Sequence, residues 1–488
     1  MNNDALLSTE GTLILCAYIL TLIGIGWLGK KAQKEKSLSD FYLAGRGMGF
    51  FVLFLTLYAT QYSGNTLVGF AGRAHREGYQ ALVLITFLSA AVGALAFYGP
   101  RLYKLSKKHS FITPSDYIDH RYKHNKLTYL SAAICLVALA NYILTNLKAI
   151  GFIIDAVTGG VIPFAYGVVA LSLVMVIYES LGGMRSVAWT DAIQGTVLMI
   201  GVITIFITIN TEYGGFGFIY EQIEKFNFSK LAAPTATQKA TWFSTVCLGF
   251  FGISLYPHAV QRIYSASKLS TLKKSIQAMA FMPLVTTFFM VVVGLTALAL
   301  FPDLDRQASE GSTLLVLKDL ARRGAIGTGM MILFLSATVA AIMSTVDSAL
   351  LSMSSIVTKD FYTRFKPGKN QAQLTQIGKG ISWVIMAFSV YLAIVLPQTI
   401  WRLLEIKLEL LIQISPAIFI GLYNSKVKGK SIFYGMLVGT IFSLVVMVAN
   451  KLGLSVPAKP MGIHAGVWGL LINCCTIYFF EKTQKLKE

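Results

Sequence analysis

Apolar runs recur along almost the whole chain, separated by short stretches rich in charge, Gly or Pro. Thirteen runs stand out, at about 12–29, 48–72, 79–99, 127–156, 161–180, 187–210, 241–260, 274–301, 326–355, 378–397, 401–423, 430–450 and 463–480. Crossing a hydrocarbon layer of about 30 Å takes about 20 mostly apolar residues in a helix, which most of these runs supply. Runs such as Val168 to Ile177 are continuous and do not alternate, so they predict helices and not the strands of a barrel. The pattern predicts an all-α membrane protein with 13 transmembrane helices, forming one integral domain over 1–488. The run at 12–29 reads as the first helix, and 429–481 as two helices at the C-terminal end.

Composition sharpens this picture. Of 488 residues, 55% are hydrophobic and only 13% charged. A soluble domain carries about 25% charged residues, so a soluble enzyme is excluded. The net charge of +19 is explained by topology. Asp4 and Glu10 precede the first run and Lys30, Lys31, Lys34 and Lys36 follow it, the reverse of a cleaved signal peptide. With the N-terminus outside and the C-terminus cytoplasmic, most of the 42 Lys and Arg, Arg262 included, fall at cytoplasmic ends. Nucleic acid is thereby excluded as a partner, and the plasma (inner) membrane is the expected location. The five Cys lie within apolar runs without metal-ligand spacing, and the zinc-protease, phosphate-loop and nucleophile-elbow motifs are missing. The chain reads as no enzyme.

Three interruptions carry candidate chemistry. The second run holds Ala59-Thr60-Gln61-Tyr62-Ser63-Gly64-Asn65-Thr66, and the seventh holds Gly249, Gly252 and Tyr256-Pro257-His258. Helices broken at membrane depth are tolerated where they line a cavity, and two in corresponding halves mark the site of a transporter built from inverted repeats. The other reading is small residues packing helices. In the ninth run, residues 341, 344, 345 and 348 share a face, where a carbonyl and hydroxyls suit a hard cation. The other reading there is hydroxyls bonded back to the preceding turn. Asp191, Asp347 and Lys148 are ionisable groups within runs, hence functional candidates. Glu179, Arg402, Glu405, Lys407 and Glu409 lie near run ends and read as snorkelling charges. Phe111 to Tyr122, with Asp116 and His120, reads as a solvated amphipathic segment in a basic loop.

These residues resemble the sodium/solute symporter family over nearly the whole chain. Gly182-Gly183-Met184-Arg185-Ser186-Val187-Ala188-Trp189-Thr190-Asp191-Ala192-Ile193-Gln194 is similar to its first signature. Ala341-Ile342-Met343-Ser344-Thr345 with Lys359-Asp360-Phe361-Tyr362 is similar to its second. Asp40 to Arg46, Ser415-Pro416-Ala417 and Gly421-Leu422-Tyr423 add support. The resemblance implies a leucine-transporter-type fold with two inverted five-helix repeats, at 47–211 and 241–423. It implies a sodium site from the carbonyls of Ala59, Tyr62 and Ala341 and the hydroxyls of Ser344 and Thr345. A second sodium, present in some members, would use Asp191, Ser344, Asp347 and Ser348. Asp347 departs from the family pattern, so either extra charge joins that site or Asp347 pairs with Lys148.

Leu255-Tyr256-Pro257-His258 followed by Arg262 is similar to the Pro-His…Arg segment of the proline, pantothenate and acetate permeases and not to the sugar or sialic acid side. The resemblance therefore implies a symporter that imports a small carboxylate-bearing solute by alternating access. The solute is a monocarboxylate, pantothenate or an amino acid. The expected contacts are Gln61, Ser63, Asn65, Lys148, Tyr256 and His258. A sodium-coupled sugar or sialic acid symporter is the alternative, and a solute receptor without net flux a remote one. Na+, in one or two copies, is the co-transported ion. The solute, sodium and the lipid bilayer are the expected partners, and the sequence leaves the oligomeric state open.

Overall fold

Lipid offers backbone groups no partner, so each apolar run must close its own hydrogen bonds as a helix. The computed structural model describes residues 9–324, 328–396 and 407–485. It contains no β-strand among them. In chain order the principal helices are α1 (Thr9–Lys31), α2 (Phe50–Gln61), α3 (Phe70–Glu77), α4 (Val83–His109), α5 (Pro114–Tyr122), α6 (Asn125–Val157), α7 (Phe164–Gly182) and α8 (Met184–Tyr213). They continue with α9 (Ala236–Phe251), α10 (Pro257–Ser265), α11 (Leu269–Met279), α12 (Phe288–Leu300), α13 (Thr328–Ile356), α14 (Gln371–Val395), α15 (Ser415–Tyr423), α16 (Gly429–Lys451) and α17 (Ala465–Lys485).

Among the described residues 8 helices are long and apolar enough to cross a membrane, or 9 if the pair broken at Tyr256 and bent by 52° counts as one span. The expected spans at 12–29, 48–72, 401–423 and 463–480 are not among these. The second is split, leaving α2 with only 12 residues. The eleventh begins at 401–406, outside the described residues.

Helices cross where small residues let backbones approach. A Cβ on Gly249 of α9 would stand 2.2 Å from the Phe87 carbonyl of α4, and one on Gly294 of α12 would stand 2.2 Å from that of Ala71 in α3. Gly201 of α8 faces Ala337 of α13 in the same way. A Cβ on Gly195 of α8 would stand 3.0 Å from the Leu55 carbonyl of α2, so α8 is held between α2 and α13.

One end of the bundle is closed by the stretches that resemble family signatures. Gly183 is the single residue between α7 and α8, at φ 58°, and a Cβ there would stand 2.3 Å from the Phe41 carbonyl. The turn delivers Arg185 to Asp40, where the guanidinium forks onto both carboxylate oxygens at 3.2 and 2.8 Å. Lys359 pairs with Asp116 at 2.5 Å, and Thr113 donates to Asp360 at 2.9 Å. The hydroxyl of Tyr42 meets Thr358 and Ser354 at 3.3 and 3.2 Å.

The segment 111–122 is thus not a solvated loop. Pro114 starts α5, the Asp116 carboxylate accepts from the Thr113 amide at 3.0 Å, and Tyr117, Ile118 and Tyr122 are buried. Fixed helix starts of this kind come from a capping side chain and a proline at the first position.

Replacing Gly249 by Ala should cost about 1–3 kcal/mol through overpacking. Gly93→Ala, where nothing lies within 4 Å, should be neutral. Thermal unfolding of the two variants in detergent checks the contrast.

Candidate functional site

The backbone opens where the sequence turns polar. Helix α2 ends at Gln61, and Tyr62, at φ −101° and ψ 88°, has left the helix while its amide still bonds the Tyr58 carbonyl at 3.1 Å. The chain re-enters a helix through a wide turn over Asn65–Gly69. Gly64 must lack a side chain, because a Cβ would stand 2.4 Å from Cγ1 of Ile342 on α13. The second break follows α9. Tyr256 takes φ −53° and ψ 130°, the extended conformation a following proline imposes, and Pro257 then opens α10.

At the first break the carbonyls freed from the helical ladder find α13. The Ser344 hydroxyl donates to the Ala59 carbonyl at 3.0 Å and lies 3.1 Å from that of Ala341. The Thr345 hydroxyl donates to the same Ala341 carbonyl at 2.9 Å. Ser344 and Thr345 are fully buried. Four of the five expected sodium ligands are therefore brought together as uncharged oxygens, with Tyr62 three residues beyond Ala59 at the break. Such a set suits a hard cation that takes oxygen ligands.

The residues expected for a second sodium are arranged differently. Arg262 is not an exposed charge: its side chain and that of Asp191 are both 0% exposed, and Nη2 lies 2.8 Å from Oδ2 of Asp191. The same Nη2 donates to Ser348 at 2.5 Å, Nη1 to the His258 carbonyl at 3.0 Å, and Nε to Thr56 at 2.8 Å. Thr56 in turn donates to Asp191. The guanidinium thus stands where Asp191 and Ser348 were expected to hold an ion. Asp347 accepts from Tyr178 at 2.5 Å and forms no ion pair with Lys148, whose ammonium donates to the Leu396 carbonyl. Sequence reasoning missed Thr56 and Tyr178. Nothing marks a lone Thr or Tyr within an apolar run as the partner of a distant carboxylate.

Between the breaks lies a cavity of ≈ 60 Å³. Gln61, Ser63, Tyr256 and His258 line it as expected, together with Tyr142, Arg262 and Lys407. Among the described residues Nε2 of Gln61 and Nδ1 of His258 have no partner, which leaves them for a solute. Lys148 does not line the cavity, and the side chain of Asn65 lies outside the described residues. Lys407, read from the sequence as a snorkelling charge, is 2% exposed, and Glu179 and Glu409 are buried as well. Arg402 and Glu405 lie outside the described residues.

Two broken helices enclosing a cavity, with neutral oxygens at one break, define a cation-coupled membrane transporter. The chain belongs to the sodium:solute symporter family, whose model matches residues 41–439. It is a transporter that couples sodium to a solute, and not an enzyme. It is 25% identical to a sodium/pantothenate symporter of Escherichia coli over 95% of this chain and 94% of that one. It is 26% identical to an osmoregulated proline transporter of Bacillus subtilis over 96% and 93%. Its fold is that of a Na+-coupled sialic acid symporter solved in a substrate-bound outward-open state, with a TM-score of 0.80, 18% identity and 98% of each chain covered.

Removing one partner of a buried ion pair leaves an uncompensated charge and costs about 3–5 kcal/mol. Arg262→Met should therefore lower the unfolding temperature sharply. The double variant Asp191→Asn with Arg262→Met should recover most of that loss. Thermal unfolding of the purified single and double variants measures both effects.

Proposed function

We propose that one Na+ binds among the carbonyls of Ala59, Tyr62 and Ala341 and the hydroxyls of Ser344 and Thr345. Its inward movement drives import of a small carboxylate-bearing solute held against Gln61, Ser63, Tyr256 and His258. The observation that carries this reading is the contact of Ser344 with the Ala59 carbonyl, which joins α13 to the break in α2. An ion there replaces a hydrogen bond between two elements by shared coordination. It stabilises the conformation in which the break is ordered and raises solute affinity by the same factor by which the solute raises that of sodium. Neutral oxygens hold no proton near pH 7, which favours Na+ over H+ as the coupling ion. A single ion is favoured because Arg262 already supplies the positive charge at Asp191 and Ser348.

In this reading the chain crosses the plasma membrane 13 times with its N-terminus outside. It carries two inverted five-helix repeats at 47–211 and 241–423, an extra helix before them and two after. The two breaks support the repeats, since α2 with α3 opens the first and α9 with α10 opens the second. Pantothenate and proline, the solutes in the relatives' names, both carry a carboxylate, in keeping with the proposed class.

Reconstituted in liposomes, the protein should take up its solute under an inward Na+ gradient and not under an equal K+ gradient, with a Hill coefficient near 1 for Na+. Equal uptake in K+ would remove the coupling. Ser344→Ala or Thr345→Ala should raise the Na+ concentration for half-maximal uptake roughly tenfold or more while expression is kept, since each removes a ligand oxygen. Normal sodium titrations in both variants would remove the site assignment.

A further inference from the structure

The wall of the cavity is asymmetric in charge. Lys407 lies with Nζ 3.6 Å from the ring centroid of Tyr142 and 5.7 Å from that of Tyr256. Those two rings stack at 5.1 Å and 8°, and His258 stacks on Tyr256 at 5.0 Å and 19°. Three flat rings from α6 and the second break thus form a slab, with the ammonium set against it. An ammonium on aromatic faces keeps only part of the stabilisation it had in water, and a buried charge of this kind calls for an anion.

No anion of the wall supplies it. Among the described residues lining the cavity there is no Asp or Glu. The second cation there, Arg262, is committed to Asp191, Thr56 and Ser348. Glu409, two residues beyond Lys407, packs instead toward α17, where a Cβ on Gly466 would stand 2.6 Å from its Cα. The rest of the wall is mostly apolar, from Leu57 and Phe70 to Phe87, Leu88 and Leu95.

We infer that the cavity selects its solute by net charge. It takes a monoanionic carboxylate anchored on the Lys407 ammonium, in preference to a zwitterionic amino acid or a neutral sugar. The inference rests on the symport reading above and narrows its solute class. A zwitterion would bring a second ammonium into a wall that is already positive and has no carboxylate to receive it. A neutral solute would leave Lys407 buried without a counter-charge. A second carboxylate on the solute would find only Arg262, already neutralised by Asp191. The charge balance follows directly: one Na+ and one monoanion cross together with zero net charge, whereas one Na+ with a zwitterion carries one positive charge.

The test uses the full chain in liposomes under an inward Na+ gradient, with labelled lactate, pantothenate and proline, and with potentials imposed by K+ and valinomycin. Lactate or pantothenate should be accumulated to a level indifferent to the imposed potential, and excess proline should not compete. Lys407→Met should raise the KM for the carboxylate at least about 30-fold, as expected for truncating one partner of a buried charge pair. Lys407→Arg should retain most of the affinity. The Na+ concentration that half-maximally shifts thermal unfolding should be the same in the parent and both variants, which reports folding and the sodium site independently of the solute. Proline uptake as efficient as that of the carboxylates, or an unchanged KM in Lys407→Met, would overturn the inference while leaving sodium symport intact. Uptake that is equal in Na+ and K+ would instead remove the symport reading itself.

Discussion

The contact between the Ser344 hydroxyl and the Ala59 carbonyl is the constraint on which the rest of the molecule depends. A transmembrane helix ordinarily satisfies every carbonyl internally, so α2 can release that of Ala59 only if another element meets it at the same depth. Helix α13 meets it, and the demands propagate outward. Gly64 must lack a side chain so that Ile342 can approach. Helix α8 must bring Gly195 to the backbone of α2 and Gly201 to α13 to keep the two at that spacing. The polarity of a few residues in the second run thus fixes the packing of three helices.

Charge is managed by distance from the cavity. At the closed end the carboxylates of Asp40 and Asp116 are paired with Arg185 and Lys359 across elements far apart in the chain. The stretches that resemble family signatures do structural work there, tying the segments around residues 40 and 113 to α8 and the end of α13. Their Asp191, under two turns from Arg185, and Ser344, about four turns from Lys359, reach the cavity region. One continuous stretch therefore serves as latch at one end and as site at the other.

Much of this was legible in the sequence. Both breaks and the hydroxyl face of α13 follow from polar residues placed where an apolar run has no local use for them, whereas the proposed sodium ligands came from the resemblance to the family. The ionisable residues were read less well, because depth in the bilayer is not the same as position in a run. Lys148 sits in mid-run, yet α6 has 33 residues and at about 1.5 Å each overshoots the hydrocarbon, so its ammonium reaches the end of α14 at Leu396. Lys407 resembled a snorkelling charge because its cage comes from Tyr142 and Tyr256, remote in sequence. Arg262 resembled a loop charge because α10 is only nine residues long and its start was hidden by the break.

The pairing of Arg262 with Asp191 has a consequence for the step in which the emptied carrier turns back. A mobile ion leaves its carboxylate bare on release, and a bare charge moving through the membrane field makes that return slow or fast according to voltage. A guanidinium fixed to the polypeptide never departs. The pair travels as a dipole of no net charge in both directions, so this part of the machine needs no refilling and adds no charge of its own to the homeward stroke.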